Sequence, residues 1–304
     1  MRRLRPLTLA DLLDGMVDLF VAHWRTYVLV LGPIVLPLSI VTAWLQTEVY
    51  GGAGLLQQIT DPATTDALFA GGPATRAFGA AVVLSLVSAL LISPLLYGSA
   101  CRIAASGYTD GDPGVAGAFS ATWRRYPSLV AVTALVMLLV GVIVGVPAVL
   151  MVLGGMRSEP PLVAAGAVGM VLAFPLAAAV AVRYSLAYPA AVVERLGPIL
   201  ALRRSRNLVR GQFWRVLGVV GLGLFIATVV AQIVALPLSI PGDAWGALLG
   251  VALVSVGTAI SSLLMTPLVA NLLTLLYFDG RIRKEGYDLE RVIDALDVPE
   301  PAVG

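Results

Sequence analysis

The stretch PSLVAVTALVMLLVGVIVGVPAVLMVL, residues 127–153, contains no charged side chain, and its only hydroxyls are Ser128 and Thr133. Crossing about 30 Å of hydrocarbon takes roughly 20 predominantly apolar helical residues, so this segment reads as a transmembrane span. Five further stretches meet the same criterion, at about 27–46, 77–101, 161–189, 214–237 and 246–276. Between them they leave no room for a separate soluble core. The whole chain agrees: 59% of its 304 residues are hydrophobic and 12% charged, with a mean hydropathy of +0.92, against about 45–50% apolar content in soluble domains. The expectation is an all-α integral membrane protein, one six-helix domain over residues 1–288 followed by a cytoplasmic tail at 289–304. Prolines at 33, 37, 94, 147, 175, 237 and 267 fall within or at the ends of spans, where kinks or breaks are tolerated.

The cations give the orientation. With the N-terminus inside, Arg2, Arg3, Arg5, Arg25, Arg102, Arg124, Arg125, Arg183, Arg195, Arg203, Arg204, Arg206, Arg210, Arg215, Arg281, Arg283, Lys284 and Arg291 all lie in cytoplasmic segments or near cytoplasmic span ends. Only Arg76 and Arg157 fall outside. By the positive-inside rule both chain ends are cytoplasmic. The start Met-Arg-Arg-Leu-Arg has the basic character of a signal peptide, but Asp11, Asp14 and Asp18 interrupt what would have to be its apolar region. The N-terminus is therefore expected to be retained.

A motif recurs ahead of the first, third and fifth spans: Trp24-Arg25, Trp123-Arg124-Arg125 and Trp214-Arg215. In the partner spans Ser93-Pro94-Leu95, Phe174-Pro175-Leu176 and Thr266-Pro267-Leu268 recur in the same order. Two landmarks in parallel suggest three tandem helical hairpins, each preceded by a cytoplasmic interfacial amphipathic helix. Interfacial Trp and Arg arising independently would give the same Trp-Arg steps. The first copy has 70 residues from its Trp to its Pro against 52 and 53 in the others. Residues 47–75 account for the excess and read as an outer loop with one short helix around 61–69.

Two surface helices carry charge stripes. After Thr8, a plausible N-cap, Leu9, Leu12, Leu13, Met16, Leu19 and Phe20 form an apolar face and Asp11, Asp14 and Asp18 an acidic one. Ahead of the fifth span, Arg203, Arg206 and Arg210 repeat the same spacing. The matched stripes admit two arrangements: pairing with each other, or arginines on anionic lipid headgroups, worth about 1 kcal/mol each near the surface, with the acids in water. Trp24, Arg25, Trp123, Arg124, Arg125, Trp214 and Arg215 are read as further headgroup or interface contacts. After the sixth span, Tyr277 and Phe278 read as an aromatic interface pair and the following basic cluster as a stop-transfer flank.

Much chemistry is excluded by composition. His23 is the sole histidine, Cys101 the sole cysteine and Lys284 the sole lysine. A histidine-based zinc site, a disulfide within the chain and a phosphate-binding G-x-x-x-x-G-K-[ST] loop therefore cannot be assembled. No catalytic, cofactor or metal residue is assigned, and nothing indicates nucleic acid. Gln232 and Asn271 are the polar side chains in spans that would line a buried cavity, were there one.

Residues 5–15 (RPLTLADLLDG), the segment from Ala201 to Arg215 and residues 281–290 (RIRKEGYDLE) resemble the actinobacterial membrane proteins named for the glycerophosphoryl diester phosphodiesterase membrane domain. The resemblance covers nearly the whole chain, although Gly280 stands where an apolar residue is expected. It implies a six-helix plasma-membrane domain. The catalytic half, with its paired histidines and metal-binding carboxylates, has no counterpart here, so phosphodiesterase activity is not carried over. Two functions remain open: a non-catalytic scaffold or partner subunit contacting lipids or envelope proteins, and a transporter or lipid-handling permease with a cavity at the repeat interface.

Overall fold

The computed structural model describes residues 7–50, 73–109, 114–157, 159–239 and 247–285. Most of the outer insertion, including the helix expected at 61–69, and the tail at 289–304 lie outside them. Among the described residues every regular element is helical: α1 (Leu9–Tyr50), α2 (Pro73–Val87), a π-helical turn (Ser88–Ile92), α3 (Ser93–Tyr108), α4 (Val115–Met156), α5 (Pro160–Tyr184), α6 (Ala187–Val193), α7 (Pro198–Val209), α8 (Phe213–Ser239) and α9 (Ala247–Glu285). Among the described residues six stretches of helix are long and apolar enough to cross a membrane.

Several helices outrun the membrane. At 1.5 Å per residue, α4 with its 42 residues and α9 with its 39 are about 63 and 58 Å long, roughly twice the hydrocarbon thickness. Part of the surplus of α9 is the segment after residue 276. This is not a flank on the bilayer surface: Tyr277 is 0% exposed and Phe278 2%, the latter stacked on Tyr108 of α3 at 5.0 Å between ring centroids. The aromatic pair expected at the lipid interface is core, because α9 continues past its apolar stretch between α3 and α7 and buries the next turn as well.

α1 joins the expected surface helix to the first span. Thr8 and Asp11 start it with a reciprocal cap, in which the Asp11 N–H donates to Thr8 Oγ1 (3.2 Å) and the Thr8 N–H to Asp11 Oδ2 (2.9 Å). Helical geometry breaks once, at His23 (φ −122°, ψ 18°), and not at Pro33 or Pro37. The His23 ring packs on Gly107 of α3, where a Cβ would stand 2.8 Å from it. In the second span Pro94 lacks the N–H that would close the turn onto Leu90. The chain takes up the defect as the π-helical turn, whose Leu91 carbonyl accepts the Tyr126 hydroxyl at 2.9 Å.

α4 and α5 lie against each other at backbone distance. A Cβ on Gly166 would stand 2.5 Å from Met151 Cγ and 2.8 Å from the Pro147 carbonyl, and one on Gly154 would stand 2.7 Å from the Val163 nitrogen. Close approach at small residues is the usual means of helix association in lipid, where apolar burial adds little. Elsewhere these two helices expose Val142, Val146, Val149, Val168, Val171 and Leu172. The packed core instead gathers at the end of the bundle where the arginines lie: Leu12, Met16, Tyr27, Ile103, Leu129, Leu186, Leu272 and Leu275 are all fully buried.

Between α7 and α8, Arg210 (φ −58°, ψ 126°) and Gly211 (φ +84°) form a turn closed by the Gln212 N–H on the Val209 carbonyl at 3.0 Å. These are type II values, which need glycine in the third position. Gly211→Ala has open space around its Cβ but must hold a left-handed backbone, and is expected to cost about 1–2 kcal/mol in unfolding measured in detergent. A loss under 0.3 kcal/mol would show that the turn relaxes freely.

Candidate functional site

At the basic end the extension of α9 carries two ion-pair nodes. Asp279, 0% exposed, accepts from Arg215 Nη1 (2.6 Å), Arg283 Nε (3.0 Å) and the Leu7 N–H (2.8 Å). The same two guanidiniums return to Leu7, donating to its carbonyl at 3.0 Å from Arg215 and 2.8 Å from Arg283. A buried carboxylate is tolerable only when paired and fully hydrogen-bonded, and here two cations and a backbone amide meet that condition. The segment ahead of α1 is thereby tied to the end of α9.

Glu194 is the second node. Its Oε1 accepts from Arg204 (Nη2, 2.7 Å), lies 3.7 Å from Arg281 Nε and is met by the Tyr277 hydroxyl. Arg204 also reaches Glu285 at 2.5 Å. Burial works against the charge on Arg204, but its bonds to Glu285 and Glu194 outweigh that and hold the guanidinium above its ordinary value. The node sits just past α6, where Arg195 takes a left-handed φ of +55°, the usual device for ending a helix though normally given to glycine. Lys284 donates to the Asn207 and Arg210 carbonyls (2.7 and 2.5 Å), a cation capping the C-terminus of α7. Ser205, fully buried on the other side of α7, donates to the Arg183 carbonyl and accepts the Leu186 N–H.

Beside the first node opens a cleft of about 710 Å³ lined by Gly211, Gln212, Phe213, Trp214, Arg215, Ile282 and Arg283. Of the interface residues expected from sequence, only Trp214 and Arg215 belong to it. Trp214 is 80% exposed. Trp24 and Trp123 are also exposed; Arg25 lies over the Trp24 ring at 5.5 Å, and Trp123 stacks on Tyr126 at 5.5 Å, with Arg124 exposed and Arg125 half-buried. Arg203, Arg206 and Arg210 line the exposed side of α7 opposite buried Ala201, Ser205, Leu208 and Val209. Among the described residues none of these three arginines is ion-paired, so the acidic and basic stripes do not meet. Arginines of this end pair instead with Glu194, Asp279 and Glu285.

Gln232 and Asn271 do not come together. Ser261 of α9 bonds the Ala231 carbonyl at 3.2 Å, which sets Gln232 level with that turn, and Asn271 lies about 15 Å further along α9 at 1.5 Å per residue. Gln232 is exposed. Asn271 is fully buried, accepting the Tyr27 hydroxyl (2.5 Å) and donating to the Met16 carbonyl (3.0 Å). Those partners flank the break at His23, so one amide fixes the bend of α1.

No family model, curated protein or solved structure matches the chain. The functional reading therefore rests on its own residues. The charged nodes were the part that sequence reading missed. The available signal was one acid, Asp279, set four residues ahead of Arg283 at the close of an apolar span, a pairing distance on a helix.

Proposed function

We propose that the chain is a non-catalytic multi-pass protein of the bacterial plasma membrane, a scaffold or partner subunit that contacts anionic lipids and an envelope protein through its basic end. The carrying observation is the contrast between the two polar regions. Asn271, the buried amide of the sixth span, has its carbonyl engaged by Tyr27 and its amino group by Met16, which leaves it little to offer a passing solute. The basic end instead turns Arg203, Arg206 and Arg210 outward from a rigidly held α7.

In this reading the basic end and both chain ends face the cytoplasm, in keeping with the positive-inside rule, and the fold is three tandem hairpins, each led by an interfacial amphipathic helix. The close pairing of α4 with α5 and of α8 with α9 supports the second and third units; α1 packs chiefly on α9, which would close the set.

The test is purification of the full chain in mild detergent with co-purifying lipids and proteins identified, beside the triple variant Arg203→Gln/Arg206→Gln/Arg210→Gln. Anionic lipid is expected to be enriched severalfold over the source membrane and the enrichment lost in the variant. Lipid composition equal to bulk in both would remove the proposal. Reporter fusions after Trp24, Gly72 and Arg195 test orientation, and an external signal at Arg195 would reverse it.

A further inference from the structure

We infer that the cleft between the α7–α8 turn and the end of α9 is a binding site for the phosphodiester headgroup of a single anionic phospholipid. This rests on the reading that the basic end lies at the membrane surface, but it concerns residues apart from the exposed α7 stripe. The cleft is lined by two guanidiniums that share one carboxylate, Asp279, so one positive charge is left over. That surplus matches a monoanion.

Neither guanidinium is exhausted by its partners. Arg283 uses Nε on Asp279 and Nη2 on Leu7, and Arg215 uses Nη1 on Asp279 and Gln212 and Nη2 on Leu7. Among the described residues Arg283 Nη1 and Arg215 Nε have no acceptor. Arginine forks suit phosphate oxygens because they present paired donors in a fixed plane. Here Asp279 and the Leu7 carbonyl already hold them in place, so a ligand need not bear the cost of ordering them. Arg215 stands in the first turn of α8, whose leading N–H groups have no acceptor within the helix and whose dipole favours an anion.

The hydrophobic side of the cleft selects the source of the phosphate. Trp214 is 80% exposed at the head of an apolar helix, where an indole ring sits at headgroup level with its apolar body toward lipid. A free phosphate ion has no use for that ring. A phospholipid would set its phosphodiester between Arg215 and Arg283 and its glycerol against Trp214.

The experiment is native mass spectrometry of the full chain exchanged into detergent doped with phosphatidylglycerol or phosphatidylcholine. One retained phosphatidylglycerol per chain is expected, with retention at least tenfold weaker in Arg283→Gln and several-fold weaker in Trp214→Ala, and unchanged in Arg203→Gln. Trp214 takes part in no ion pair, so Trp214→Ala tests the site without touching the Asp279 node. Equal retention of the two lipids, or Trp214→Ala binding like the parent, would overturn the site. Inorganic phosphate binding as tightly as phosphatidylglycerol would overturn its assignment to a lipid. An unaffected α7 triple variant would count against the proposed function alone.

Discussion

Replacing Arg215 and Arg283 together by alanine is expected to destabilise the protein by about 3–5 kcal/mol, the range for stripping a buried charge of its partners. Each single replacement should cost well under half of that. The asymmetry follows from exposure: both guanidiniums reach solvent, with side chains 30% and 33% exposed, whereas the Asp279 side chain has none. With one arginine gone, Asp279 keeps the other and the Leu7 N–H. With both gone, a carboxylate stays buried on a single amide. A double-mutant cycle in detergent micelles, followed by unfolding, measures the coupling. Additivity within about 0.5 kcal/mol would mean that water reaches Asp279 when its partners are lost.

Gly166→Ala is expected to lower stability by about 3 kcal/mol, the upper range for overpacking, because the added carbon meets main chain. The Met151 nitrogen at 2.7 Å and the Pro147 carbonyl at 2.8 Å cannot swing aside as a side chain could, so α4 and α5 must separate along their contact. Gly141→Ala and Gly145→Ala on α4 provide the comparison, since nothing lies within 4 Å of either added carbon, and both should stay within about 0.5 kcal/mol of the parent. Equal effects at all three positions would show that helix propensity, not packing, governs these glycines. The Gly223 site is a softer case, since the obstacle there is the end of the Leu272 side chain.

What could be read from sequence and what could not divides along physical lines. Six helices with the length and hydropathy of spans were legible because a bilayer imposes length and apolarity on each segment separately. The Thr8 cap and the outward stripe of Arg203, Arg206 and Arg210 were legible because both depend on residues within a few turns. Tyr277 and Phe278 were misread, and Asp279 was missed, for the opposite reason. Aromatic residues followed by cations look the same at a headgroup layer and between packed helices, and only the positions of α3 and α7 decide between them. Glu194 as partner to Tyr277 depends on a contact across 83 residues of sequence, and its pairing with Arg204 spans the break between α6 and α7, which no local period encodes. Asn271 was read with Gln232 as lining of a cavity, whereas its partners Tyr27 and Met16 come from the first helix and no local pattern announces them.

That last pairing bears on how the protein is made. α1 is synthesised before α9, yet the face of α1 bearing Met16 and Tyr27 packs chiefly on α9, and Leu7 is fastened by residues at positions 279 and 283. During synthesis α1 must therefore wait in the bilayer without the Asn271 bond across its bend until α9 has been made. Nascent chains arrested before residue 271 should remain open to protease at the start of α1, since the last turns of α9 act as the stitch that fastens it.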